Sequence, residues 1–86
     1  MGQPVFTCSG QIGKYEVHPT FISETKANGM ITYIPLARID AVCRTGGGFG
    51  GKVQIFAGDL NAEWLIGNQQ DSFVAAVLDS ISNLYG

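Results

Sequence analysis

The chain has 86 residues, 45% of them hydrophobic and 14% charged, a balance that belongs to one small folded domain and excludes a disordered chain. Seven acids against five bases give a net charge of -2, and Lys14, Lys26, Arg38, Arg44 and Lys52 are scattered, so nothing local supplies the clustered cations that a nucleic acid or a strongly anionic membrane surface needs. No run of 18 apolar residues offers a spanning helix, and the start MGQPVFTCSG lacks the basic region and apolar core of a signal peptide, which gives the expectation of a cytoplasmic protein.

From Pro4 to Ile66 the sequence consists of short runs rich in Val, Ile, Thr, Tyr and Phe, interrupted by Gly, Pro and Asn. This is the signature of antiparallel strands joined by hairpins. The expected strands are Val5 to Cys8, Ile12 to Val17, Thr20 to Lys26, Met30 to Ile34, Ile39 to Arg44, Lys52 to Ala57 and Ala62 to Ile66. His18-Pro19 separates two of them, because the residue before a proline is held extended. Ala27-Asn28-Gly29 carries the Asn-Gly signal of a two-residue hairpin, and Gly58-Asp59-Leu60-Asn61 reads as another turn. Alternation assigns Val53, Ile55, Trp64 and Ile66 to the core and leaves Phe56 and Leu65 on the opposite face.

After Gly67 the period changes. Asn68 can cap a helix with Asp71 in its first turn. Phe73, Val74, Val77, Leu78, Ile81, Leu84 and Tyr85 then define an apolar stripe, while Gln70, Asp79, Ser80 and Asn83 are expected to face solvent. The helix runs from about residue 69 to 85, and the fold class is mainly β (α+β), six to seven antiparallel strands followed by one helix, in a single domain over 1–86.

That order, together with Ile34-Pro35-Leu36-Ala37-Arg38-Ile39-Asp40-Ala41-Val42, resembles the small bacterial pleckstrin-homology-like (PH-like) domains. Ile34, Pro35, Leu36, Ile39 and Val42 match the family's I-P-L-x-x-I-x-x-V segment, and Phe73, Val77 and Leu78 match its closing helix. The resemblance covers roughly Ile12 to Leu84. It implies a bent sheet or partly open barrel plugged by the helix, and a binding or assembly module without catalytic residues.

The stretch Thr45-Gly46-Gly47-Gly48-Phe49-Gly50-Gly51-Lys52 satisfies G-x-G-x-x-G and most of a phosphate-binding loop. Both motifs need a helix starting at the loop, whose N–H groups hold the anion. Val53-Gln54-Ile55-Phe56 reads as strand instead, so the stretch becomes a hairpin loop whose one side chain of interest is Phe49.

Catalytic and metal-binding material is sparse. His18, the one histidine, falls in a turn and is expected to be solvated; with Cys8 and Cys43 it would leave a structural zinc site one ligand short. The two cysteines are expected as buried free thiols. Glu16 and Glu24 share their segments with Lys14 and Lys26, which suggests an ion-paired outer face. The sequence therefore points to a non-enzymatic module with no cofactor or metal, binding a protein or peptide, or itself, through a sheet edge or loops. Phe49, Arg44, Lys52, Phe56 and Leu65 are its candidate contact residues. A lipid-surface module using Arg44 and Lys52 is the alternative, and a nucleotide binder using the 45–52 loop stands behind it.

Overall fold

A computed structural model of the chain describes residues 3–10, 13–45 and 51–85. Among these, seven strands form two antiparallel sheets. The first contains β1 (Phe6–Ser9), β2 (Gly13–Val17), β3 (Phe21–Lys26) and β4 (Ile31–Pro35) in that order; the second contains β5 (Ala41–Thr45), β6 (Lys52–Ala57) and β7 (Leu60–Trp64). The helix α1 (Gln70–Tyr85) comes after a single 3-10 turn at Gly67–Gln69. Every pairing is between successive strands, as short turns dictate.

The ladder breaks at one join. Pro35, with no N–H to donate, ends β4 and leads into a 3-10 turn at Leu36–Arg38, where Leu36 is buried and its N–H donates to Thr20 O at 2.9 Å. The strand expected from Ile39 therefore starts only at Ala41, and no hydrogen-bonded ladder joins the two sheets among the described residues. The strands thus form two antiparallel sheets, and no closed barrel occurs among the described residues. β7 also starts earlier and ends earlier than expected, at Leu60 and Trp64, because Gly58-Asp59 alone makes the turn, with Gly58 at φ 62.

The Asn-Gly turn differs as well. Gly29 N donates to Lys26 O and Lys26 N to Met30 O, so the loop has three residues, Ala27 to Gly29, with only Gly29 at positive φ. That is a type I turn closed by a left-handed glycine, and not the two-residue form in which both central residues have positive φ. The other expected strand boundaries fall within two residues of those observed; Ile12 lies outside the described residues.

Register fixes the inner faces. In the first sheet Phe6, Val17, Ile22 and Ile34 make one inward row, and Cys8, Tyr15, Glu24 and Thr32 the next. In the second, Val53 pairs with Trp64 and Ile55 with Ala62. Val53, Ile55, Trp64 and Ile66 are buried as their alternation predicts, and Phe73 and Val77 of α1 complete the core with Leu36. Trp64 is its aromatic centre, 4.9 Å from the Tyr15 ring and 5.8 Å from that of Phe73.

The helix packs on β1 and β2 of one sheet, β5 and β6 of the other and the Leu36–Arg38 turn, so it covers the β1–β5 side of the pair. Its buried line is narrower than expected, and it is rotated. Gln70, Phe73, Val77 and Ser80 are buried, whereas Leu78 and Tyr85 are 53% and 70% exposed and Leu84 is exposed as well. At about 100° per residue Leu78 stands a quarter turn beyond Val77, off the contact line, while Ser80 falls back onto it. Gln70 and Ser80 are therefore corrected to the buried face.

Candidate functional site

With α1 covering one side, the opposite side of the sheet pair is flanked by the edge strands β4 and β7. Neither pairs beyond its own sheet among the described residues, so each keeps one row of backbone N–H and C=O groups outside any ladder. Between them run two hollows that meet at Leu60. One, of about 180 Å³, is lined by Tyr33, Ile34, Pro35, Arg38, Ala57 and Leu60. The other, of about 280 Å³, is lined by β3 and β4 residues including Glu24, Lys26 and Thr32, and by β7 from Leu60 to Trp64. Two exposed apolar side chains line this cleft, Tyr33 of β4 and Leu60 at the start of β7. Tyr33 is braced edge-on by Phe21 at 5.6 Å.

Glu24 occupies an unusual place. It is 6% exposed, on the inner row between Tyr15 and Thr32, and it has no hydrogen bond or ion pair among the described residues. Glu16, one row away, points outward to Lys14 at 3.3 Å and to His18 at 2.9 Å. The two acids thus lie on opposite faces of the sheet, and the shared outer face expected for them is corrected for Glu24. Period two from buried Ile22 already carries that information.

The bond to His18, followed by the contact with Lys14, holds the Glu16 carboxyl below its usual range despite partial burial. Its lowered value means that Glu16 contributes stability above the ordinary carboxylate pKa of about 4.3, and that this is lost as the pH falls through the folded value. In Glu16→Gln the deficit relative to the wild type, read from thermal midpoints, is expected to be present near about pH 6 and to close as the pH falls below the ordinary carboxylate range. A deficit independent of pH would contradict it. His18 itself is stacked on Phe21 at 4.3 Å with its side chain 16% exposed, which corrects the solvated turn histidine.

Of the contact residues expected from sequence, Arg44 pairs with Asp71 in the first turn of α1 at 3.1 Å, and Lys52 with Glu63 at 3.2 Å. Arg44 is opposite Val53 on the inward side of the register and Lys52 opposite Thr45 on the outward side, so the two bases do not converge. Phe56 is half-buried beside Ala41 and Asn61 on the outer face. Leu65 is exposed just beyond β7. Continuing the ladder past Val53 and Trp64 puts Leu65 next to Lys52, four strand positions or about 13 Å from Phe56, so these two apolar residues form no joint patch. Phe49 and the rest of the glycine loop from 46 to 50 lie outside the described residues.

Cys8 is buried, and burial pushes its thiol up to about 11, so it is protonated and unreactive at neutral pH. Cys43 is exposed on the outer row of β5, correcting the expectation of two buried thiols. No group of three or more His, Cys, Asp or Glu side chains able to hold a metal occurs among the described residues, and no helix there is long and apolar enough to cross a membrane. Comparison of the chain with protein-family models, curated proteins and solved structures gives no match.

The β4–β7 cleft is the site that sequence reading missed. Strand existence and facing are local signals, whereas which two edges confront each other depends on how the sheets dock.

Proposed function

We propose that the chain is a PH-like, non-enzymatic binding or assembly module whose partner is an extended protein segment taken up along the β4–β7 cleft. One observation carries this reading: two unladdered strand edges flank a cleft lined by exposed Tyr33 and Leu60. An incoming strand gains main-chain hydrogen bonds from an edge and side-chain specificity from alternate pockets. β4 and β7 have five residues each, enough for a segment of five or six.

The lipid-surface alternative has no comparable support, since Arg44 and Lys52 are turned apart and each is already engaged by an acid. The nucleotide alternative is weakened because Lys52 opens a strand and not a helix.

A capped hexapeptide of alternating Val and Thr is expected to shift the backbone amide resonances of β4 and β7, leaving those of α1 in place. Sedimentation over a concentration series reports whether a second copy supplies the segment. Tyr33→Glu, at a side chain 61% exposed, is expected to keep the fold and weaken association about tenfold or more, the range of an aromatic contact residue. A monomer at all concentrations whose β4 and β7 signals ignore the peptide would rule this function out.

A further inference from the structure

We infer that the wider half of the cleft is a recognition pocket for one lysine or arginine side chain of the incoming segment, with the Glu24 carboxylate as its counter-ion; this rests on the proposed uptake of a strand.

Glu24 is 6% exposed, with its carboxylate opening on the hollow instead of being sealed off, and an acid so placed is ordinarily paired. Glu24 is not. Among the described residues the acids Glu16, Glu63 and Asp71 are each bonded to a base, while Glu24 lines a hollow of about 280 Å³. Lys26 lines the same hollow two positions along the strand and makes no ion pair with Glu24. Glu63 is committed outside, accepting from Gln54 Nε2 at 3.0 Å and pairing with Lys52. The remaining lining suits a long cationic side chain. Thr32 and Asn61 offer hydrogen-bonding groups, and Leu60 and Ala62 offer apolar surface for its stem.

The segment comes from another protein and not from a second copy. Lys14, Lys26 and Lys52 of this chain lie on β2, β3 and β6, all interior strands with both edges used. Arg44 lies on edge strand β5 but is engaged by Asp71. Arg38 lies in the turn that leaves β4.

The test compares two capped hexapeptides, Thr-Val-Lys-Val-Thr-Val and the same peptide with norleucine for lysine, monitored by amide and Trp64 indole resonances. Norleucine keeps the stem and removes the charge, so the comparison needs no change to the protein. The lysine peptide is expected to bind about tenfold tighter, a difference of about 1.4 kcal/mol. It should perturb Glu24, Thr32 and Trp64 beyond the shifts that both peptides cause in β4 and β7. In Glu24→Gln the preference is expected to vanish while norleucine-peptide affinity stays within about twofold. Equal binding of both peptides to the wild type, or a preference that survives Glu24→Gln, overturns the counter-ion role and leaves strand uptake standing. Binding of neither peptide overturns both. A chain that dimerises through β4 and excludes the peptides overturns the choice of partner.

Discussion

Trp64→Ala is expected to lower stability by about 3–5 kcal/mol, read as a fall in the urea midpoint. A domain of this length holds on the order of 4–13 kcal/mol in total, so the variant will be close to unfolding at physiological temperature. The size of the effect is set by position. Trp64 is 2% exposed and touches Tyr15 of the first sheet and Phe73 of the helix, so one ring joins all three layers. Removing it opens a void that neither sheet can fill alone, because each is held in register by its own ladders. Trp64→Phe, which keeps part of that contact, should lose less. A cost under about 1 kcal/mol for the alanine variant would show that the ring is not the joint between layers.

The opposite sign is expected for Tyr15→Phe. The Tyr15 side chain is fully buried and its hydroxyl has no hydrogen-bond partner among the described residues, so the native state bears the desolvation of a polar group and gains nothing in exchange. Phenylalanine keeps the packing on Trp64 and deletes that group, which should raise stability by about 1–3 kcal/mol. Alkaline titration supplies a second readout. Burial, then the nearby Glu24 and Cys8, pushes the Tyr15 hydroxyl from 10.0 up to about 12. Its folded value is raised, so its contribution is fully present below the unfolded value near 10 and lost as the pH climbs through about 12. Tyr15→Phe should lack that decline and keep the one from Cys8, which begins near 9.0 and extends to about 11. A destabilised phenylalanine variant would indicate that the hydroxyl has a partner after all.

What could be read from the sequence was local. Val53, Ile55, Trp64 and Ile66 announce their burial through a period of two, and the change to a helical period after Gly67 marks α1 to within a residue or two. Of the apolar positions that carry the PH-like resemblance, Ile34, Leu36, Ile39, Val42, Phe73 and Val77 join or flank the core, whereas Leu78 is exposed. The polar residues were harder. Glu24 alternates inward from Ile22, yet its charge argued for solvent, and only docking of the second sheet shows that the inner row leaves the core and enters a cleft at that point. Gln70 and Ser80 obey the same logic on the helix: their burial follows from how α1 docks, with Gln70 lying against Gly51 just before β6, a tertiary matter with no signature in composition. Gly10 shows the converse, a residue that looks like plain turn material. A side chain there would collide with the Leu65 carbonyl and the Tyr15 ring, so the glycine marks where the β1–β2 turn closes down on the end of the second sheet.

The unbroken succession of neighbouring strands has a consequence for how the chain reaches this state. Each ladder closes a loop of only a few residues, so both sheets can zip from their own turns at small entropic cost. The contact of Phe6 with Phe73, by contrast, links the first strand to the last element. Sheet formation therefore belongs to the fast, local part of folding, and the arrival of α1 on β1 to the slow, long-range part. On that order of events the β4 and β7 edges exist before the helix has fastened the opposite side, so the face proposed to receive a partner is also the one exposed to premature pairing while the chain is still assembling.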